Sequence, residues 1–420
     1  MKTKIIEKKL NSIVIQVEIP ISKSMLTTEE NIQSALNEVG LEATNYSLAQ
    51  FDTDGIPLKI GSFRYTTKGQ VSKIYQTPYG EVTIQRHVYQ NKLGGATFCP
   101  LENDARIIVG TTPKFAKMVS SKYSETGATR VQVDLEENHG RYISRSFIQD
   151  ISEAVAETIQ NKQENWEFTI PVETQDVSSI GISLDGTCMF IVGDGYRIAM
   201  VGSISLYNKE GERQYTHYTA SAPEYGKAIF YEGFEKDIKN IQSLYPNVES
   251  VGVADGAKDN WIFLEKHTNH QVLDYFHATE YLALAAEMGF KRKFEGKAWL
   301  EKACHKLKHE EFGAKELLTE IKSFRKKKIT EAKKEKIESV ITYYENHQHQ
   351  MEYKKYQDKK LPIGSGVIEA ACKVIIKQRL CNSGMKWKDA GAKAVLCLRC
   401  INKSDGKWSQ LWDKINKYGA

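Results

Sequence analysis

Three acidic residues occupy positions where solubility alone does not explain a carboxylate. Asp185 lies in the middle of the apolar run 180–192, and Asp255 ends the apolar run before Gly256. Glu369 falls in the first turn of a predicted helix. A carboxylate in apolar surroundings is unfavourable unless it is hydrogen-bonded, paired or bound to a cation. Three carboxylates from separate elements could form an oxygen-lined site of the kind that suits Mg²⁺ or Mn²⁺.

Two such ions can activate a water or a 3′-hydroxyl and stabilise the leaving oxygen of a phosphoryl transfer. Neither Asp-Gly pair is specific by itself. The sequence LDGT, which includes Asp185, also occurs in haloacid-dehalogenase phosphatases. Those enzymes need a nucleophilic Asp two residues before the Asp of DGT, and here that position is Ser183. The phosphatase interpretation is therefore rejected.

The stretch 361–379 predicts the helix that carries Glu369. Ser365, between two glycines, is expected to cap this helix by accepting a backbone N–H. Glu369, Lys373 and Lys377 follow at steps of four and would line one stripe of an α-helix. A carboxylate followed by two lysines suits an enzyme that holds a metal ion beside a phosphodiester. The alternative is a capped amphipathic helix with a Glu matched to the helix dipole.

The elements that must position these acids form a recognisable series. Strands are predicted at 180–192, 197–206 and 213–220, followed by a helix at 227–244 and a strand that ends at Asp255. This is the order of an α/β ribonuclease-H-like core, with one acid in the first strand and another at the end of the fourth. The charged, helical stretch that follows, to residue 360, is too long for a loop and predicts an all-α insertion.

The N-terminal region predicts an α+β arrangement. Alternating residues at 61–89 indicate a small antiparallel sheet with a hairpin at Pro78-Tyr79-Gly80. A short helix is expected at 27–39, capped by Thr27 or Thr28.

Three further helices are predicted at 113–123, at 128–138 and from residue 144 onwards. A turn that contains a glycine precedes the third helix, which fits a helix-turn-helix unit with Arg141 and Arg145 opening the recognition helix. An ordinary helical packing domain is the alternative for this region.

Composition and charge limit the cellular location and the kinds of partner that we expect for this chain. No stretch approaches 18 apolar residues and no signal peptide is evident, so we expect a cytoplasmic protein without a membrane partner. Seven scattered cysteines do not suggest a disulfide framework, and the CxxC pair at 397 and 400 predicts buried thiols. The net charge of +5 combines +7 in residues 291–339, +9 in residues 353–403 and −11 elsewhere. A basic C-terminal half indicates a polyanion partner, although a solvated helix face would also explain residues 291–339.

Several stretches resemble the DDE transposases of bacterial insertion sequences, and the Kra family in particular. They are VADGAKDNW, LDYFHATEYL, IGSGVIEAACKVIIKQRLCNSGMKWKDAGAKAVLCLR and, nearer the N-terminus, YQTPYGEVTIQRHVYQ, CPLE and TTPKFAK. The resemblance runs from about residue 70 and is weakest at 295–355. It implies that Asp185, Asp255 and Glu369 are the metal-binding triad. It also matches Asp274 and His277 to the (C/D)xxH element of Mutator-like relatives, which makes His277 a candidate catalytic residue or a buried structural histidine.

Some relatives carry an N-terminal cysteine cluster that binds zinc. This chain has only Cys99 in that region, so no zinc is expected. Near the third acid, Trp387 is expected either to stack on a base or to lie in the core. The residues expected to contact phosphates are Lys373, Lys377, Arg379, Lys386 and Lys388.

Together these observations predict five segments. They are an N-terminal region with a small sheet (1–100), a helical DNA-binding domain (101–175), two parts of the core (176–279 and 361–420) and the helical insertion between them (280–360). The expected protein is a nucleoid-associated bacterial transposase that cuts element ends and joins them to target DNA as a homo-oligomer. An inactive DNA-binding descendant and a nuclease that only hydrolyses are the alternatives.

Overall fold

A computed structural model describes residues 2–9, 11–162, 166–170, 176–224, 227–327 and 329–420. The chain divides into two compact units. The first comprises Met1–Phe168, Cys397–Asn402 and Lys407–Ala420, and the second comprises Thr169–Leu396 and Lys403–Gly406. No helix in the described ranges combines the length and the apolar character needed to cross a membrane.

The first unit contains two antiparallel sheets. One is a hairpin of β1 (Lys2–Lys8) and β2 (Ile13–Glu18), which the sequence analysis did not predict. The other has the order β3-β4-β5-β6 and consists of β3 (Leu58–Ile60), β4 (Phe63–Gln76), β5 (Glu81–Asn91) and β6 (Thr97–Phe98). The predicted hairpin is confirmed, because the turn between β4 and β5 spans the Pro-Tyr-Gly sequence. The Thr77 hydroxyl oxygen closes this turn by accepting the N–H groups of Tyr79 and Gly80 at 3.1 Å.

The helices of the first unit differ from the prediction mainly at the N-terminus. The helix expected at 27–39 is longer, and its cap is Ser24, whose hydroxyl accepts the Thr27 N–H. The prediction of a Thr27 or Thr28 cap was therefore wrong. The three helices expected beyond residue 112 are present. The helices of this unit are α1 (Met25–Ala49), α2 (Pro100–Asp104), α3 (Pro113–Glu125), α4 (Ala128–His139) and α5 (Arg145–Lys162).

The second unit is built on a mixed five-stranded sheet. Its strands are β7 (Ser179–Ile191), β8 (Gly195–Tyr207), β9 (Arg213–Ser221), β10 (Glu249–Ala254) and β11 (His270–Leu273). The order across the sheet is β11-β10-β7-β8-β9. The neighbours β7, β8 and β9 run antiparallel, whereas β10 is parallel to both β7 and β11. The strands predicted from the sequence are confirmed.

Alternation along β7 separates an apolar face from a polar one. Ile180, Ile182 and Leu184 lie in the main hydrophobic core of the unit, together with residues of the helices that follow β9. The intervening residues, Ser183 and Asp185, therefore project from the opposite face of the sheet.

The helices of the second unit fall into three groups. Between the strands lie α6 (Ala228–Leu244) and α7 (Lys258–Leu264). After β11 come α8 (Tyr275–Gly289), α9 (Lys293–His309), α10 (Gly313–Ser323), α11 (Glu331–His347) and α12 (Tyr353–Asp358). The chain then forms α13 (Gly366–Ala371), a π-helical segment (Cys372–Lys377) and α14 (Gln378–Leu380). Two helices complete the chain, α15 (Asp389–Lys403), which contributes residues to both units, and α16 (Lys407–Tyr418), which lies in the first unit.

Candidate active site

The first acid, Asp185, sits at the middle of β7 on the polar face of the sheet. Its side chain is half-buried, and its Oδ1 accepts the N–H of Gly186 at 2.6 Å. Its Oδ2 accepts the Sγ–H of Cys372, which belongs to the π-helical segment, at 3.5 Å. The carboxylate is thus held between the strand and the helix that also carries Glu369.

The surroundings of Asp185 do not fully compensate the negative charge of its carboxylate. Burial raises its pKa above the usual range, and the nearby negative charge of Asp255 raises it further. The hydrogen bonds from Gly186 and Cys372 and the positive charge of Lys377 act in the opposite direction but do not outweigh burial. A carboxyl with a raised pKa beside a second acid is a position where a cation would be favourable.

The register of two parallel strands explains why Asp185 and Asp255 are neighbours. The last pair that strands β10 and β7 form is Gly252 with Ile182, and each acid lies three residues further along the chain, with Asp255 just after the end of β10. Continued past the end of this ladder, the same register brings Asp255 to the level of Asp185, and the charge of Asp255 raises the pKa of Asp185. Asp255 itself starts a turn in which its Oδ1 accepts the Ala257 N–H at 3.2 Å. The Tyr343 hydroxyl donates to the Asp255 carbonyl at 3.3 Å and so ties α11 to this turn.

The third acid, Glu369, is exposed on α13, which packs against β7 and β8. Glu369 precedes Cys372 by one helical turn and is therefore one turn from the residue that contacts Asp185. The Ser365 hydroxyl donates to Glu369 Oε1 at 2.9 Å. The expectation that the Ser365 side chain caps the helix was therefore wrong, because its hydroxyl is used by Glu369 and makes no capping bond.

Asp274 holds the backbone at the start of α13 in place. It is completely buried at the end of β11 and caps α8, where its Oδ1 accepts the His277 N–H at 2.8 Å. Its Oδ2 accepts the backbone N–H of Ser365. One carboxylate thus joins the start of α8 to the start of α13. The His277 side chain lies at the surface, with its Nδ1 3.2 Å from Glu280 Oε2, and its catalytic role stays a prediction.

The helix after Glu369 does not keep the α-helical step that the lysine stripe assumed. Residues Cys372–Lys377 are π-helical, so the angle between successive residues is smaller there than in an α-helix. Lys373 and Lys377 are both exposed, and the Lys377 charge lowers the pKa of Asp185. Burial and the Asp185 charge raise the pKa of the Cys372 thiol to about 12. Cys372 is therefore a neutral thiol that can donate a hydrogen bond.

Trp387 contacts other residues of the segment 379–388. The Trp387 indole is half-buried, and its Nε1 donates to the Leu380 carbonyl at 2.9 Å. The buried Arg379 guanidinium lies 5.0 Å from the centre of the indole ring. Lys386 lies 5.8 Å from the centre of the Phe190 ring, and Lys388 is exposed. Trp387 and Arg379 thus have structural contacts, whereas Lys386 and Lys388 reach solvent.

The two arginines assigned to a recognition helix differ from each other. Arg141 is buried, and it donates to the Thr77 carbonyl at 3.1 Å and to Gln76 Oε1 at 2.6 Å. These contacts tie the turn before α5 to the β4–β5 hairpin. Arg145 is exposed at the start of α5. Their roles in DNA binding stay predictions, and the geometry makes Arg145 the accessible residue.

Sequence reasoning missed three residues that shape this site, namely Cys372, Tyr343 and Ser365 in its role as a donor to Glu369. Only the spacing of Cys372 three residues after Glu369 could have indicated one of them. Within the described ranges, no group of three or more His, Cys, Asp or Glu side chains is close enough to hold a metal ion. The pair Asp185 and Asp255 nevertheless supplies the carboxylate oxygens that hard divalent cations prefer. No protein-family model matches this chain, and a search among curated proteins found no match for it.

Proposed function

We propose that this chain is a metal-dependent DNA transposase of the DDE class. The observation that carries the proposal is the placement of Asp185 and Asp255, each three residues beyond the last β10–β7 pair and close enough for the charge of Asp255 to raise the pKa of Asp185. The pKa of Asp185 is raised, and neither acid has an ion pair with a Lys, Arg or His among the described residues. Two adjacent carboxylates without a cation are unfavourable in a purely structural role and favourable beside a divalent ion.

The sheet supports a ribonuclease-H-like core. Three antiparallel strands are followed by a helix and two parallel strands, and the first strand lies at the centre of the sheet. This arrangement brings the middle of the first strand beside the end of the fourth, which is where the two acids stand. The resemblance of VADGAKDNW and the Glu369 region to insertion-sequence transposases points to the same core.

In this proposal each residue of the candidate site has a role. Asp185 and Asp255 would supply the first ligands of Mg²⁺ or Mn²⁺, which when bound activates a water or 3′-hydroxyl and stabilises the leaving oxygen. Glu369 would complete the set of ligands only if its helix moved closer to the two aspartates. The Ser365 hydroxyl orients Glu369, and Asp274 fixes the backbone of Ser365. The exposed Lys373, together with Lys377, would neutralise phosphates of the DNA strand beside the acids.

DNA is the partner that this proposal requires. Residues 353–403 carry twelve Lys or Arg against three acidic residues, which is a net charge of +9. Lysines and arginines in that proportion favour phosphate contacts, which contribute affinity without sequence preference. The exposed Arg145 on α5 is the candidate for contacts to element-end DNA. Assembly of several copies on paired element ends is part of the same proposal.

The test uses a plasmid that carries the coding segment with its flanking DNA. We expect Asp185→Asn, Asp255→Asn and Glu369→Gln each to reduce cleavage and strand transfer by roughly 10³-fold or more. Binding to the same DNA should stay close to that of the wild type, because the cations supply that affinity. Asp259→Asn is the matched control, since Asp259 is an exposed acid four residues after Asp255.

The outcomes separate the alternatives. Strand transfer near the wild-type rate in any of the three variants would remove that residue from the active site. Cleavage by the wild-type chain without any joined product would indicate a nuclease that only hydrolyses. DNA binding without cleavage in Mg²⁺ or Mn²⁺ would indicate a DNA-binding protein without catalysis.

A further inference from the structure

Positive charge in the helical stretch after β11 falls in two segments, residues 291–309 and residues 322–336. In the second segment Arg325 pairs with Glu338, and Lys327 packs over the rings of Phe290 and Phe324. Residues 291–309, which contain α9, carry seven Lys or Arg against two Glu, a net charge of +5. Helix α10 carries two lysines and two glutamates, and α11 carries three lysines and four glutamates. The two later helices are thus close to neutral, and α9 is the basic one.

The cations of the 291–309 segment also differ in how they are paired. Four of its lysines are exposed and have no ion pair among the described residues: Lys291, Lys293, Lys297 and Lys302. Later in the same stretch, Lys322 lies 2.6 Å from Glu345, and Arg325 lies 2.5 Å from Glu338. Those pairs join α10 and the short turn after it to α11. The four exposed lysines hold no helices together in this way.

The exposed side of α9 is distinct from its packed side. Gly296, Ala303 and Leu307 are buried, and the residues on the opposite side face solvent. Phe294 is 67% exposed on that side, with the Arg292 guanidinium 6.0 Å from the centre of its ring. Arg292 also lies 3.6 Å from Glu295, so among the described residues the cations without an ion pair around this ring are the four lysines. An exposed aromatic ring among such lysines contributes little to folding and is a common composition for a nucleic-acid contact.

We infer that this surface, defined by the four lysines and Phe294, binds the phosphate backbone of double-stranded DNA. The inference rests on the proposed function. Helix α9 has 17 residues and so is about 25 Å long, while duplex DNA carries one charge for about every 1.7 Å of its axis. Several phosphates therefore lie within reach of one helix face. A membrane is the less suitable polyanion, because an interfacial helix needs a continuous apolar face and this surface offers one phenylalanine.

The test compares two full-length variants that lose the same charge. The surface variant combines Lys291→Gln, Lys293→Gln, Lys297→Gln and Lys302→Gln. The control variant replaces four lysines that form ion pairs with acids and combines Lys306→Gln, Lys322→Gln, Lys334→Gln and Lys355→Gln. Affinity for a labelled duplex of random sequence is measured over a KCl series, and the same proteins are mixed with vesicles of phosphatidylserine and phosphatidylcholine.

The surface variant should bind the duplex at least about tenfold more weakly than the control variant at low salt. Its slope of log affinity against log salt should fall by about 0.9 for each phosphate that the variant no longer neutralises. Circular dichroism should show both variants folded, because the four surface lysines are exposed and the ion pairs of the four control lysines are partly exposed. The single variant Lys297→Gln provides a milder test of the same slope.

Three results would overturn the inference. Equal affinities and slopes for the two variants would show that only overall charge matters, and would leave the proposed function intact. A loss of vesicle binding with unchanged DNA binding would assign the surface to a membrane. Failure of the wild-type chain to bind any duplex would overturn the surface and the proposed function together.

Discussion

The surroundings of two partly buried acids, one in each unit, shift the pKa values of those acids in opposite directions. Glu102 in the first unit accepts hydrogen bonds from Lys73 Nζ at 2.7 Å and from the Tyr75 hydroxyl at 2.8 Å. The guanidinium of Arg86 lies 3.5 Å away. Burial alone would raise the pKa of Glu102, but these hydrogen bonds and charges outweigh it and leave the pKa below its usual range.

Asp185 in the second unit has the opposite balance. Burial and a neighbouring acid raise its pKa, and its hydrogen-bond donors are a backbone N–H and a thiol. The difference teaches how to separate a structural acid from a candidate metal ligand. A structural acid is compensated by cations of the chain itself or by a backbone N–H at each carboxylate oxygen, whereas a candidate ligand is left without such compensation.

The largest expected effect on stability comes from replacing Glu102. Glu102→Gln should lower the free energy of unfolding by about 3 kcal/mol, because it leaves the buried Arg86 without a counter-charge. Urea unfolding followed by circular dichroism measures this change. Glu137→Gln, which replaces an exposed acid of α4, is the control and should have almost no effect. Equal unfolding free energies for the two variants would show that the Glu102 cluster is not structural.

A second satisfied acid lies close to the candidate site. Asp274→Ala should cost about 2 kcal/mol, because it removes the cap of α8 and the acceptor of the Ser365 N–H. Asp274→Asn keeps one of the two oxygen acceptors and should cost less. Thermal unfolding of both variants measures the difference. If the two variants were equally destabilised, either the oxygen that asparagine replaces with an NH₂ group or the charge of Asp274 would be what the fold needs.

For Asp185 we expect the opposite effect on stability, because removing its charge should stabilise the folded state. Since folding raises the pKa of Asp185, its contribution to stability is present at low pH and is lost as pH rises through the raised value. In EDTA at neutral pH, Asp185→Asn should therefore unfold a few degrees above the wild type. The difference should vanish below the ordinary pKa of aspartate.

Added Mg²⁺ sharpens the same comparison. It should raise the unfolding temperature of the wild type but not that of Asp185→Asn, because a ligand stabilises only the state that binds it. Asp259→Asn, the exposed control, should behave like the wild type in both conditions. A destabilised Asp185→Asn in EDTA would place Asp185 with the structural acids.

The smallest expected effect concerns Lys377, whose positive charge acts on Asp185. Lys377→Gln removes a positive charge that lowers the pKa of Asp185, so that pKa should rise further. Carbon NMR of ¹³C-labelled aspartate carboxyls, followed over pH, measures the change. Lys373→Gln, at an exposed lysine one turn earlier, should shift it less. Equal shifts would mean that overall charge, and not the position of Lys377, sets the pKa of Asp185.

Local patterns were sufficient for much of the second unit. Strands β7 to β10, and helix α6, follow from runs of β-branched and apolar residues and from helical periodicity, which depend only on neighbours in sequence. The short strand β11 was not predicted. Helix α1 was predicted too short, and the β1–β2 hairpin was missed. A two-stranded hairpin with few buried residues carries little periodic signal, and its stability depends on what it packs against.

The amino-acid sequence by itself determined which acids stand in apolar surroundings, which segments are basic and which residues can form strands. Tertiary structure decided the rest, because the decisive contacts join residues far apart in the chain. The pairing of β10 with β7 sets Asp255 beside Asp185, and Asp274 reaches Ser365 across 91 residues. The π-helical segment after Glu369 also departs from the regular step that a sequence pattern assumes. A strand's register and a helix's local winding depend on packing against partners that sequence spacing does not specify.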